Sequence, residues 1–83
     1  MVHMKDEVLE IIIKLTGYEY LRNNINVDLI EEDILDSLAF IQLISKLEEK
    51  YDIEIQPTQV SSNTWRSVAG IVELVKDKIE NNG

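Results

Sequence analysis

The side chains that commonly do chemistry are scarce in this sequence, and the gaps inform as much as the residues present. There is no cysteine, so a thiolate nucleophile, a disulfide and a thiolate metal ligand are all excluded. His3 is the only histidine. A serine or threonine nucleophile would therefore lack the neighbouring base that activates it, and a zinc site would have to be built from carboxylates alone. Glu31, Glu32, Asp33 and Asp36 cluster, but an EF-hand calcium loop needs alternating oxygen ligands around a central glycine. The only glycines are Gly17, Gly70 and Gly83, which leaves neither that loop nor a glycine-rich phosphate cradle. The acidic cluster reads as a solvated face or a cap. What remains is Ile34-Leu35-Asp36-Ser37-Leu38. Asp36 is placed to cap a helix starting at Ser37, its carboxylate accepting from the first free N–H groups and offsetting the helix dipole. Taken alone, an Asp-Ser before an apolar helix marks a capped helix start and nothing more.

Three helical patterns have to position these residues, and no segment reads as a strand. In the first, Val8, Ile12 and Leu15 recur at helical spacing, with Leu9 and Ile13 widening the stripe. Glu10 and Lys14 form an i, i+4 pair on its wet face, and Gly17 stops it. Val2 and His3 precede a second candidate start at Met4, so no role is drawn from His3. The second helix is read with Leu38, Ile41, Ile44, Leu47 and Tyr51 on one face and Leu43 beside them. Phe40 falls at the edge of that stripe, where it is either a core flank or an apolar contact for a partner. Asp52 and the Ile53–Ile55 stretch end the helix. The last helix is capped by Ser67 and carries Val68, Ile71, Val72, Val75 and Ile79.

The connections differ in kind. Residues 18–36 are too apolar for a loose linker, with Tyr18, Tyr20, Leu21, Ile25, Val27, Leu29 and Ile30. Asn23, Asn24, Asn26 and Asp28 nevertheless break any regular pattern, because short polar side chains compete for backbone hydrogen bonds. A connection of this length inside a small domain is expected to be functional or folded onto the core. Pro57 opens a short single-turn segment through Val60, residues 61–64 form a loop, and the last three residues fray. The expected architecture is all-α: a single domain over 1–83, a small bundle of three main helices plus one short helix. Of the other serines, Ser45 lies mid-helix, Ser61 and Ser62 in a loop, and Ser67 at a different cap.

Sixteen acidic against eight basic residues give a formal charge of −8. That sign argues against nucleic acid and anionic lipid, which demand Lys and Arg. It suits partners with basic docking patches, and it also keeps a small domain soluble. No apolar run approaches the roughly 20 residues of a membrane span. Val8–Leu15 is too short for a signal peptide and carries Glu10 and Lys14. A monomer in the cytoplasm, without membrane insertion, is the expected state.

Set in this context, the Asp-Ser-Leu changes meaning. A small acidic three-helix domain with Asp36-Ser37-Leu38 opening its second helix after a long packed loop resembles the acyl carrier protein superfamily. The likeness runs from the first helix to Ile79, and Leu43–Ile55 (LISKLEEKYDIEI) looks like a carrier's second helix and following loop. The string EEDILDS and Trp65 are most similar to D-alanyl carrier proteins, whereas fatty-acid-type carriers commonly have glycine where Ile34 stands. The resemblance implies 4′-phosphopantetheine, derived from coenzyme A, on Ser37, with Asp36 and Leu38 flanking the attachment. A serine in a first helical turn keeps its hydroxyl in solvent, and the helix N-terminus tolerates the phosphate. The arm's terminal thiol would carry an acyl group as a thioester, here D-alanine for teichoic acid esterification. The implied partners are a phosphopantetheinyl transferase, a D-alanine–carrier ligase or another acyl-loading enzyme, and a downstream acyltransferase. Leu38, Phe40 and Ile41 are the expected partner contacts. No catalytic residue is implied: such a chain is a tether for enzymes that act on its cargo. Gln42 stands where the family often has an acid, Ala39 and Phe40 follow the serine directly, and Val68 replaces a proline frequent in D-alanyl carriers. Carriers for fatty-acid, polyketide or nonribosomal peptide synthesis share the same outline. A helical interaction module without a prosthetic group is the reading from outside the class.

Overall fold

The computed structural model describes residues 3–56 and 63–81. Three α-helices dominate: α1, Met4–Thr16; α2, Ser37–Tyr51; and α3, Val68–Asn81. Short 3-10 turns occupy Glu19–Asn23 and Thr64–Arg66, and no strand occurs among the described residues. The single-turn segment expected at Pro57–Val60 lies outside the described residues.

Each main helix ends or begins where local chemistry dictates. Gly17 takes the left-handed conformation (φ 81°) that glycine adopts without penalty, and its N–H closes α1 onto the Ile13 carbonyl at 2.7 Å. Asp6 and Glu7 in the first turn of α1 and Lys14 in its last complement the helix dipole. Asp52, also left-handed, ends α2. The Glu48 carboxylate then accepts from the Ile55 N–H at 2.9 Å, which holds Ile53 and Ile55 in the core. Ser67 caps α3: its hydroxyl accepts from the Gly70 N–H at 3.1 Å. Gly70 is required there for space, because a Cβ would lie 2.5 Å from the Thr64 carbonyl oxygen.

The core is contributed by all three helices and by the connections. Val8, Ile12, Leu43, Leu47, Ile71 and Val75 are fully buried along the bundle axis. On α1 the expected stripe holds, with Leu15 partly buried at its end. On α3 Leu74 joins the stripe, and Ile79 is exposed, lying one turn beyond the last fully buried residue. On α2 the expected face is wrong in phase. Leu38 and Ile41 are 65% and 63% exposed, whereas Leu43 and Leu47 are buried and Phe40, Ile44 and Tyr51 pack beside them. Steps of three residues fall about 60° short of a full turn, so a row at 38, 41, 44 and 47 rotates from one side of the helix to the other. The buried set instead follows 40, 43, 47 and 51, mixing steps of three and four.

The long connection is packed, as its composition predicts. Leu21, Leu29, Ile34 and Leu35 are buried, while Tyr18, Tyr20 and Ile30 stay exposed. Its organiser is Asp28. One carboxylate oxygen accepts from the N–H groups of Ile30 and Glu31 at 3.1 and 2.9 Å, and the other pairs with Arg66 at 2.8 Å. These contacts hold its carboxyl below the usual range, the Glu31 N–H foremost and Arg66 after it. Beside it the Leu29 N–H bonds to the Arg66 carbonyl, and the Leu29 carbonyl accepts from both Ile34 and Leu35. The Ile25 carbonyl accepts from the Ala69 N–H in the first turn of α3. The Glu10–Lys14 pair expected on α1 gives way to a longer-range one. Glu10 pairs with Arg22, which also bonds Glu19 and so clamps the Glu19–Asn23 turn onto α1. Lys14 adds only the weakest attraction to the Glu10 carboxylate, whose ionised form is favoured chiefly by Arg22.

Candidate functional site

Ser37 is the first residue of α2, and its exposure follows from what lies immediately before it. Ile34 and Leu35 are both buried, and both donate their N–H groups to the Leu29 carbonyl, at 2.9 and 3.0 Å. Two consecutive apolar side chains are thus driven into the core, and the next two residues are delivered to the surface. Asp36 turns the chain into the helix with extended backbone (φ −85°, ψ −179°). Its Oδ1 accepts from the Ala39 N–H at 2.8 Å, and its carbonyl accepts from the Phe40 N–H at 2.8 Å. The capping role expected of Asp36 is therefore met atom by atom. Ser37 stands exposed one residue further on.

The expected site residues split into two settings. Asp36, Ser37, Leu38 and Ile41 are solvent-facing, with Leu38 and Ile41 among the most exposed large apolar side chains. Phe40 is half-buried, and its ring meets that of Trp65 edge to face with centroids 4.7 Å apart. Trp65 is buried, and its Nε1 has no hydrogen-bond partner among the described residues. The ring pair binds the first turn of α2 to the turn before α3, so Phe40 belongs to the scaffold beneath the serine. Twenty-five residues separate the two rings in sequence, and no local pattern announces the contact.

Beside the serine lies a feature that sequence reasoning missed. A groove of about 300 Å³ runs between the end of α1 and the start of α2, with Asp36 and Leu38 on its rim. Its other walls come from Leu15, Thr16, Tyr18, Asp33 and Ile34, as well as from Ala39 and Gln42 on α2. The glycine stop after Thr16 and the short step from Ile34 to Asp36 bring these segments together, and neither signal names a groove.

The arrangement can anchor a group, and it offers no means of activating one. The only histidine of the chain, His3, caps the far end of α1, so no imidazole stands near the Ser37 hydroxyl. A phosphodiester at this position fits. The N–H groups of Ser37 and Leu38 donate to no partner among the described residues, and a helix N-terminus favours an anion. An exposed serine on a capped second helix, held by a buried dipeptide in a small acidic bundle, has the outline of a carrier domain.

Comparison with known proteins makes the family explicit. Residues 6–75 match the family described as "Phosphopantetheine attachment site". A D-alanyl carrier protein of Lactococcus lactis subsp. cremoris (strain MG1363) is 34% identical over 79 residues, spanning 95% of this chain and all of the relative. One from Listeria welshimeri is 34% identical over 68 residues, 82% of this chain and 87% of the relative. Another, from Bacillus cereus (strain B4264), is 27% identical over 77 residues, 93% and 98% of the two chains. The chain belongs to the phosphopantetheine-attachment family, among the D-alanyl carrier proteins. Membership brings 4′-phosphopantetheine as a covalent group and a non-catalytic role alongside partner enzymes. No helix among the described residues is long and apolar enough to cross a membrane.

Proposed function

We propose that residues 1–83 form a single carrier domain that holds D-alanine for teichoic acid D-alanylation, with Ser37 as the attachment point of the phosphopantetheine arm. The observation that carries this reading is the exposed Ser37 on the Asp36-capped first turn, fixed from below by buried Ile34 and Leu35. When bound, the arm supplies a terminal thiol on which the cargo is held, and its tether raises the cargo's effective concentration at each partner's site. The protein's own residues do the rest. Asp36 orders the turn and leaves the hydroxyl accessible. Leu38 and Ile41 present an apolar contact beside the tether, and Phe40 supports it from the core side against Trp65. Largely exposed apolar side chains flanking a polar attachment point suit a small buried patch on a visiting enzyme.

The partners follow from the chemistry: a phosphopantetheinyl transferase to install the arm, a D-alanine–carrier ligase to load it, and an acyltransferase to unload it. A formal charge of −8 favours basic docking surfaces on all three. The proposed setting is a cytoplasmic monomer that visits them in turn. Intact mass after incubation with coenzyme A and a broad-specificity transferase tests the attachment. A gain equal to one phosphopantetheine is expected, absent in Ser37→Ala; a gain that survives Ser37→Ala would refute Ser37 as the site. Offering the modified protein to a D-alanine ligase and to a fatty acyl loading enzyme tests the cargo. Loading by the fatty acyl enzyme alone would make this a general acyl carrier.

A further inference from the structure

The groove beside the serine has a chemistry of its own. Its lining includes the apolar residues Leu15, Ile34 and Ala39. Its polar groups are of two kinds. The side chains of Tyr18 and Gln42 make no hydrogen bond to any described residue, so a hydroxyl and a carboxamide are free to donate and accept. Asp33 and Asp36 contribute carboxylates, which accept only and repel anions. One oxygen of Asp36 is committed to the Ala39 N–H. Thr16 offers little, since its hydroxyl donates to the Ile12 carbonyl at 2.8 Å. The site thus rejects a phosphate or carboxylate and suits a neutral chain that pairs amide N–H and C=O groups with apolar carbon. Its volume of about 300 Å³ is at the lower end of the range that small-molecule sites occupy.

A ligand of that description is attached next door if Ser37 carries the arm. Pantetheine consists of a gem-dimethyl carbon, a hydroxyl and two secondary amides in a flexible chain, with its one charged group, the phosphate, at the serine end. Ser37 lies in sequence between Asp36 and Leu38, both of which border the groove. We infer that the groove is a resting berth for the pantetheine segment of the arm. Leu15 and Ala39 would offer the gem-dimethyl group apolar contact, and Gln42, Tyr18 and Asp33 would offer the amides hydrogen-bond partners. This rests on the proposed attachment at Ser37 and adds to it a place for the arm between visits to enzymes. Tethering makes even weak contacts count, because the arm is present at high effective concentration. Gln42 is the selective element: a carboxylate in its place could only accept, and it would add a third negative charge to the walls.

The test compares the unmodified and coenzyme A-derived forms by NMR, with intact mass confirming modification in the same sample. Amide shift changes are expected at residues 15–18 and 33–34 as well as around Ser37, with cross-peaks from the gem-dimethyl protons to the Leu15 and Ala39 methyl groups. Gln42→Ala, at an exposed position, should reduce the changes at residues 15–18 several-fold while the mass gain persists. A full mass gain with shift changes confined to residues 36–39 and no such cross-peaks would overturn the berth and leave the attachment intact. No mass gain at all would refute the attachment at Ser37, and the berth with it.

Discussion

Replacing Asp36 with alanine removes the one side-chain acceptor that satisfies a first-turn amide of α2, and the structure fixes both the size and the specificity of the effect. The lost contact is the 2.8 Å bond from the Ala39 N–H to Asp36 Oδ1. Loss of such a cap costs about 1 kcal/mol, and in a domain of this size 1 kcal/mol lowers Tm by about 4–8 °C. Asp36→Asn keeps an acceptor oxygen at the same distance and ranks with aspartate as a cap, so its Tm should stay close to that of the parent. The pair therefore separates the cap from the charge. Thermal unfolding followed by circular dichroism reads the first, and the initial rate of phosphopantetheine transfer reads the second. If Asp36 acts only by ordering the turn, Asp36→Asn should be modified at close to the parental rate and Asp36→Ala more slowly. A slow Asp36→Asn with unchanged Tm would assign the carboxylate a direct part in binding the transferase. Equal melting temperatures for Asp36→Ala and the parent would refute the capping argument itself, since the N–H would then be satisfied equally well by water.

Three further changes probe the scaffold. Ile71→Ala should cost about 2–5 kcal/mol as a core truncation, because Ile71 is fully buried; Ile79→Ala, at a 40% exposed position, should cost far less, and equal losses in chemical denaturation would contradict the phase of α3. Gly70→Ala gains about 0.5–1 kcal/mol of helix propensity but sets a Cβ 2.5 Å from the Thr64 carbonyl oxygen, an overpacking that costs about 1–3 kcal/mol. Its Tm should fall, and a rise would mean that the Thr64–Arg66 turn is free to move away. Asp28→Asn tests the hub of the long connection. The folded carboxyl is held below its ordinary 3.8, so the unfolded chain binds the proton first as pH drops. The stabilisation is complete above about pH 4 and fades as pH falls through the lowered folded value. The Tm difference between parent and Asp28→Asn should therefore be largest near neutral pH and shrink in acid; a difference independent of pH would leave the charge of Asp28 without a role.

What could be read from the sequence was what depends on neighbours in the chain. The stop at Gly17, the cap at Asp36, the cap at Ser67 and the exposure of Ser37 are local events, decided within three or four residues by backbone conformation and hydrogen-bond competition. What escaped depends on partners far along the chain. Glu10 takes Arg22 over the sequence-near Lys14 as its carboxylate's main companion because the Glu19–Asn23 turn packs on α1. Asp28 meets Arg66 thirty-eight residues away, and Phe40 meets Trp65 across the bundle. The groove has the same origin, since it exists only where the end of α1 and the start of α2 are brought side by side.

The misplaced face of α2 has a different cause and says more about function. Apolar residues lie on both sides of this helix, so hydrophobic period alone admits two phases, and only the positions of Leu43 and Leu47 against the other helices select one. A helix serving only as a wall of the bundle would carry polar residues at 38 and 41. Leaving leucine and isoleucine about two-thirds exposed there sacrifices nothing in the core but offers apolar area to any molecule that covers it, roughly 25 cal/mol for each Å² removed from water. Both residues lie within the first five positions of α2, beside the residue proposed to hold the arm. Replacing both with glutamine should therefore leave Tm nearly unchanged, since neither side chain is buried, while weakening capture by the transferase and the ligase. Were Leu38 and Ile41 needed for folding instead, the double variant would melt early and load normally at low temperature. The comparison separates a surface kept apolar for visitors from one kept apolar for the core.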